Sequence, residues 1–429
     1  MKEKFIKSTI ILIIGGAITK FLGILIRVIT TRIVGVDGMG LYMLIFPTFT
    51  LFVTISQLGF PVAISKLVAE DNHNNKNVIF SIIPFSLILN IILMLIIIFI
   101  APFLSNNLLK DSRTYYPILA IGLVLPFDSI SSILRGYFFG KQKMIPHVVS
   151  NIFEQIIRLI LTFIIIPILL DKSLVFAVTG LVLINIFSEL SSILILFLFL
   201  PKNFSIRKED IKPDRGNIKE VLEVALPTTG GRLIGSIGYF FEPILLTTAL
   251  LYSGYSNNFI IREYGIIEGY VLPLLLLPGF FTNAISSALI PVISKAYSIG
   301  DKKYVKRKLK QAIYISLLIG IPITIILMIN PSFFLKLIYN TNHGTIYLRF
   351  IAPIFLIYYI ESPLASTLQS INKAKNMMYD NLKGILIKTF LLFTLSLFKI
   401  GLYGFLIGMG ASIIVTTLSH YRNIKNVLD

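Results

Sequence analysis

Four residues near the start of the chain recur at a spacing suited to holding an anion. Gly16, Lys20, Gly23 and Arg27 stand at i, i+4, i+7 and i+11, so on a helix of 3.6 residues per turn they share one narrow face. The other faces of that stretch are Ile, Leu, Phe and Val. A cation held in hydrocarbon costs about 2.5–3.5 kcal/mol on insertion scales, and such a residue ordinarily turns toward a bundle interior or a watery cavity. Glycines on the same stripe leave room beside the cations, and a guanidinium meets phosphate oxygens through paired N–H donors. Two readings follow. The stripe lines an anion site, or it is a close-packing face whose cations pair with acids on neighbouring helices.

Other charges stand in apolar stretches. Gly231, Gly235, Gly238 and Glu242 repeat the opening spacing, and Arg232 lies one residue off that stripe. Lys20, Arg27 and Arg232 are therefore the candidate cations of a binding cavity. Glu154 and Arg158, at i and i+4 with the acid first, are expected to form a structural ion pair. Glu242 precedes Pro243, where the helix must loosen for want of an N–H. Glu242, Asp128, Glu361 and Glu189 are candidates for ion coupling, for gating, or for pairing with the cations. Lys383 and Lys388, five apart, fall on different faces, so at most one of them is expected to line a cavity.

Several function classes are excluded. No cysteine is present, so there is no disulfide, thiol nucleophile or thiolate metal site. His73, His147, His343 and His420 are scattered and suggest no metal centre. There is no phosphate-binding loop of the G-x-x-x-x-G-K-[ST] kind, no H-E-x-x-H and no hydrolase serine elbow. Neither an enzyme nor a cofactor is expected; transport would draw on an ion gradient, the membrane potential or removal of product.

The elements that must carry these residues are membrane helices. Of 429 residues 55% are hydrophobic and 14% charged, with a mean hydropathy of +0.84, far from the composition of a soluble domain. At about 20 apolar residues per crossing, the chain reads as twelve spans: 8–33, 40–68, 77–104, 114–139, 146–170, 173–200, 221–252, 264–296, 309–335, 345–371, 377–398 and 401–420. The first segment is too long and too charged for a cleavable signal peptide. With the N-terminus inside, twenty-five of the 39 Lys and Arg fall on the cytoplasmic side and seven outside, which predicts both termini in the cytoplasm of a bacterial cell membrane. Arg135, beside the Lys141–Lys143 turn, is counted with the cytoplasmic cations. The basic run Lys302–Lys310 reads as a topology anchor and a contact for anionic membrane lipids, not as a nucleic-acid site.

The chain also repeats itself. Pro61-Val62-Ala63-Ile64-Ser65-Lys66 is echoed by Pro291-Val292-Ile293-Ser294-Lys295, and Asp128-Ser129 by Glu361-Ser362. This predicts an all-α membrane protein of two pseudo-symmetric six-helix lobes, 1–201 and 220–429, joined by a cytoplasmic linker at 202–219. In transporters built from such repeats the substrate site lies near mid-membrane between them.

The most specific text spans the fourth and fifth helices: Arg135-Gly136-Tyr137-Phe138-Phe139-Gly140-Lys141-Gln142-Lys143-Met144-Ile145-Pro146, then Glu154-Gln155-Ile156-Ile157-Arg158. It resembles the signature of the stage V sporulation protein B branch of the MOP exporter superfamily, a neighbour of the MurJ-type lipid II flippases. Val36-Asp37-Gly38-Met39-Gly40-Leu41-Tyr42, Leu58-Gly59-Phe60-Pro61 and Ile400-Gly401-Leu402-Tyr403-Gly404 are similar to that family too. The resemblance implies a MATE-type V of two lobes and alternating access. It also implies, as cargo, a lipid-diphosphate-linked cell-wall saccharide such as a peptidoglycan precursor, including one for a spore cortex. Lys20 and Arg27, with Arg232 as a looser match, stand where such relatives contact the diphosphate; cell-wall synthesis machinery is an implied partner. Relatives carry fourteen helices where twelve are counted here. The main rival is a MATE-type multidrug or organic-cation antiporter coupled to H+ or Na+. A polyprenyl-carrier glycosyltransferase would need a sizeable outer loop, and a non-transporting assembly partner would be free to vary its cavity charges.

Overall fold

The computed structural model describes residues 2–70, 75–200 and 214–428. All regular structure among them is helical. The first helix, α1 (Lys2–Gln57), has 56 residues; unbroken, it would run about 84 Å at 1.5 Å per residue, nearly three hydrocarbon thicknesses. It is broken at Gly35, whose φ of 69° and ψ of −169° fall in a region open essentially to glycine alone. The break divides one continuous run near the gap expected between the spans 8–33 and 40–68.

A second break follows at Leu58 and Gly59, both with positive φ, before α2 (Phe60–Glu70). Then come α3 (Asn75–Phe103), α4 (Tyr115–Gly140), α5 (Met144–Lys172) and α6 (Leu174–Leu198). The expected linker at 202–219 lies outside the described residues up to position 213; from Arg215 onward it is already helix, the start of α7 (Arg215–Tyr252).

The later helices are α8 (Asn257–Ile266) and α9 (Leu272–Ser298), joined through one π-helical turn at Ile267–Val271. After them run α10 (Lys302–Ile329), α11 (Pro331–Tyr339), α12 (Thr345–Ser370), α13 (Ala374–Ser396) and α14 (Tyr403–Leu428). The span expected at 309–335 is thus interrupted. Asn330 ends α10 and caps α11, accepting from Phe333 N at 3.2 Å, and Pro331 fills the first position, where no N–H is needed. Among the described residues, ten stretches are long and apolar enough to cross a membrane. The first of these divides at Gly35, and α13, with Asp380, Lys383 and Lys388 along it, falls outside that count. The chain is a multi-pass membrane protein.

The helices gather into two compact units, 1–240 and 241–429, with α7 running through the boundary. In the first unit α4 packs on α2, α3 and α6, and α5 packs on α6; in the second, α12 packs on α9, α10 and α14, and α13 packs on α14. The internal repeat seen in the sequence is therefore also a repeat of packing. Equivalent apolar clusters follow the two Pro-Val motifs: Phe60, Ile64, Ile82, Ile133 and Phe138 in one unit, Ile293, Val305, Leu309, Leu368 and Ile424 in the other. Close approach of α4 to α2 depends on two glycines. A Cβ on Gly136 would lie 2.9 Å from Pro61 O, and one on Gly140 2.7 Å from Ser65 O.

Candidate functional site

In the first unit, α1, α4, α5 and α6 enclose a cavity of about 410 Å³. Three arginines (Arg27, Arg135, Arg158) and three carboxylates (Asp128, Glu154, Glu189) line it, with Asn185 and Gln155 among the neutral polar groups. Where the sequence pointed to a cationic lining, formal charges of the two signs are equal here. The acids have been drawn in because an unpaired guanidinium away from water is far costlier than a paired one.

The centre of the network is Arg135. Its Nη2 donates to Glu154 Oε2 at 2.6 Å, to Glu189 Oε2 at 3.2 Å and to Ser192 Oγ at 2.9 Å. Reading Arg135 with the cytoplasmic cations is corrected: its place six residues before Lys141 tells nothing of its rotamer, and the side chain turns into α5 and α6. Arg158 Nη2 donates to the other oxygen of Glu154 at 2.8 Å. Glu154, 8% exposed at its side chain, thus joins two guanidiniums instead of forming an isolated pair with Arg158. The Nε atoms of Arg135 and Arg158 are buried without a hydrogen-bond partner among the described residues. Arg27 also faces the cavity, and its Nη2 lies 3.6 Å from Met43 Sδ.

Lys20 and Arg232 are exposed and are not part of that lining. Beside them Gly16, Gly231 and Gly235 have no atom within 4 Å of an added Cβ, so both glycine stripes border open space. Arg232 Nη2 donates to Gln57 Oε1 at 3.2 Å, and Gln57 Nε2 donates to Asp128 Oδ2 at 2.9 Å.

The second unit holds a separate cavity of about 450 Å³, lined by Glu268, Glu361, Lys388, Asn381 and Thr416 among others. Glu242 is not on that lining. It is ion-paired with Lys388 of α13 and accepts from Tyr264 OH at 3.2 Å. Of the two lysines on α13, Lys388 reaches the cavity, while Lys383 lies 3.6 Å from Asp380. Asp380 is 1% exposed and also accepts from Asn423 Nδ2 at 2.7 Å, and it lies 3.0 Å from His420 Nδ1.

The candidate residues thus fall into two sets. Arg27, Asp128, Glu154, Arg158 and Glu189 share one cavity, and Glu361 and Lys388 share another. Sequence reasoning missed Arg135, Gln57 and Glu268. The i, i+19 separation of Arg135 from Glu154 belongs to no helical or strand period, so no local spacing could link the two.

Comparison with known proteins agrees with this architecture. The Polysaccharide biosynthesis protein family matches residues 5–297, and the MatE family residues 269–394. Stage V sporulation protein B of Bacillus subtilis (strain 168) is 36% identical, over 100% of this chain and 85% of its own length. Lipid II flippase MurJ of the same organism is 25% identical, over 90% of this chain and 76% of its own length. Among solved structures, an inward-facing multidrug resistance MATE family transporter of the MOP superfamily superposes with a TM-score of 0.74 at 16% identity, covering 96% of this chain and 94% of that one. With a helical fold repeated in two units and a family match across more than half its length, the chain belongs to the polysaccharide biosynthesis protein family.

Proposed function

We propose that this protein is a flippase that carries a lipid-diphosphate-linked cell-wall saccharide, a peptidoglycan precursor including that of a spore cortex, from the inner to the outer leaflet. The headgroup site opens alternately to the two sides of the membrane. The observation that carries the reading is Arg27. It is a guanidinium on a membrane helix, lining a cavity, on the same helical face as the exposed Lys20. A diphosphate brings several negative charges into a region of low dielectric. Guanidinium donors replace part of its hydration, while its lipid tail stays in the bilayer.

In this reading Lys20, Arg27 and Arg232 contact the headgroup. Glu154 and Glu189 hold Arg135 and Arg158 in place, and Asp128 and Glu361 are the carboxylates available for ion coupling or gating. The similarity to a protein named lipid II flippase and to a sporulation protein supports this cargo class. The cell-wall synthesis machinery is the expected recipient of the product. A second reading, an organic-cation antiporter driven by H+ or Na+, is favoured by Glu268 and Glu361 on the cavity of the second unit.

Reconstitution into vesicles with a labelled lipid-linked precursor tests both. The protein should speed exposure of the label to an outside probe, and Arg27→Ala should abolish that acceleration while leaving the melting temperature in detergent near that of the parent. An Arg27→Ala protein that flips the precursor at the parent rate, or a parent that exchanges an organic cation and no lipid, would sink the flippase reading.

A further inference from the structure

A seam between α7 and the end of α1 carries a second observation. Three successive turns of α7 meet three positions of α1 and the break behind it. Thr228 lies beside Gly59, where an added Cβ would be 2.4 Å from its Oγ1. Arg232 reaches Gln57, and Ser236 Oγ lies 2.9 Å from Thr54 Oγ1. Gln57 is the last residue of α1; Leu58 and Gly59, at φ 42° and 63°, interrupt the helix behind it. Its amide is polarised end to end, the oxygen accepting from Arg232 and the nitrogen donating to Asp128.

The two bonds differ in how easily they are displaced. Arg232 is exposed, and its acceptor at 3.2 Å is a neutral amide oxygen. A diphosphate offers ionised oxygens that a guanidinium can meet with two parallel N–H bonds, against the one neutral oxygen of Gln57, so a diphosphate wins Arg232 from Gln57. Gln57 then loses the contact that fixes which end of its amide faces Asp128. Because it stands at a helix terminus, its side chain can turn without disturbing an α-helical ladder on its C-terminal side.

We propose that Gln57 is a positioning residue that couples occupation of Arg232 by a phosphate-bearing headgroup to the environment of Asp128, a carboxylate on the cavity of the first unit. The assignment rests on the reading of Arg232 as a headgroup contact. Coupling of this kind is reciprocal: if an anion on Arg232 changes what Asp128 feels, then changing Asp128 changes the anion's affinity by the same factor.

The test is a double-mutant cycle in detergent, with farnesyl diphosphate as the probe and calorimetry as the readout, on the parent, Asp128→Asn, Gln57→Leu and the double variant. Removing the Asp128 charge has a through-space effect on any anion, but that effect is common to both backgrounds and cancels in the cycle. The remaining coupling is expected to be about fivefold in affinity, the scale of one rearranged hydrogen bond. Gln57→Leu should bind the probe at least as tightly as the parent and yet slow lipid flipping in vesicles. A merely structural Gln57 would lower both together. Gln57→Met repeats the measurement if the leucine variant does not fold. Effects that add to within about twofold, with the parent binding the probe, would overturn the relay and leave the flippase reading intact. A parent that does not bind the probe removes both.

Discussion

Arg135 Nη2 and Glu154 Oε2 lie 2.6 Å apart, joining α4 to α5 beside the cavity of the first unit. Both side chains are largely withdrawn from solvent, at 19% and 8% exposure. The same guanidinium reaches Glu189 on α6, so one side chain holds three helices in a fixed arrangement. Removing it strands Glu189 and leaves Glu154 to Arg158 alone.

Arg135→Leu is therefore expected to destabilise the protein by about 3–5 kcal/mol, the penalty of breaking a buried ion pair on one side. Arg135→Lys should recover only part of this, because an ammonium is a compact, more strongly hydrated charge that loses more on burial than a guanidinium. Thermal unfolding of the purified variants in detergent measures the order: parent, then Lys, then Leu. A leucine variant as stable as the parent would refute the bridging role.

Glu242 and Lys388 offer the complementary case. Each single change, Glu242→Leu or Lys388→Leu, leaves an uncompensated charge and should cost about 3–5 kcal/mol, whereas the double change should be close to neutral. Melting temperatures of the three variants give the coupling directly. Additive losses would show that the two side chains act independently.

Gly140 and Gly16 should respond oppositely to alanine. An added Cβ on Gly140 would stand 2.6 Å from Val68 Cβ and 2.7 Å from Ser65 O, while one on Gly16 meets nothing within 4 Å. Gly140→Ala should cost about 1–3 kcal/mol through overpacking, and Gly16→Ala should leave the melting temperature unchanged within error. Any effect of Gly16→Ala would then appear in transport alone, as loss of room beside Lys20.

The expected orientation is open to labelling, since the chain has no cysteine of its own. Asn106 is exposed, whereas the neighbouring Ser105 is buried and donates to Asp111 O at 2.9 Å, so Asn106 is the site to use. With both termini in the cytoplasm, Asn106→Cys should react with an impermeant maleimide from outside the cell. Reaction only after the membrane is opened would invert the topology.

The membrane class and the repeat could be read from the chain alone, because each rests on local pattern. Apolar run length decides whether a segment spans. The Pro-Val motifs recur in order, and Glu154 lies one helical turn from Arg158 whatever surrounds them. Tertiary structure decided the partners. Arg135 and Glu189 are 54 residues apart, Gln57 and Asp128 are 71 apart, and Glu242 and Lys388 are 146 apart; no periodicity links such positions. Which acid neutralises which cation, and which cavity each faces, depends on helix rotation about its own axis. That rotation is set by packing of whole faces, such as α4 seated on α2 through Gly136 and Gly140, and not by the sequence of any one helix.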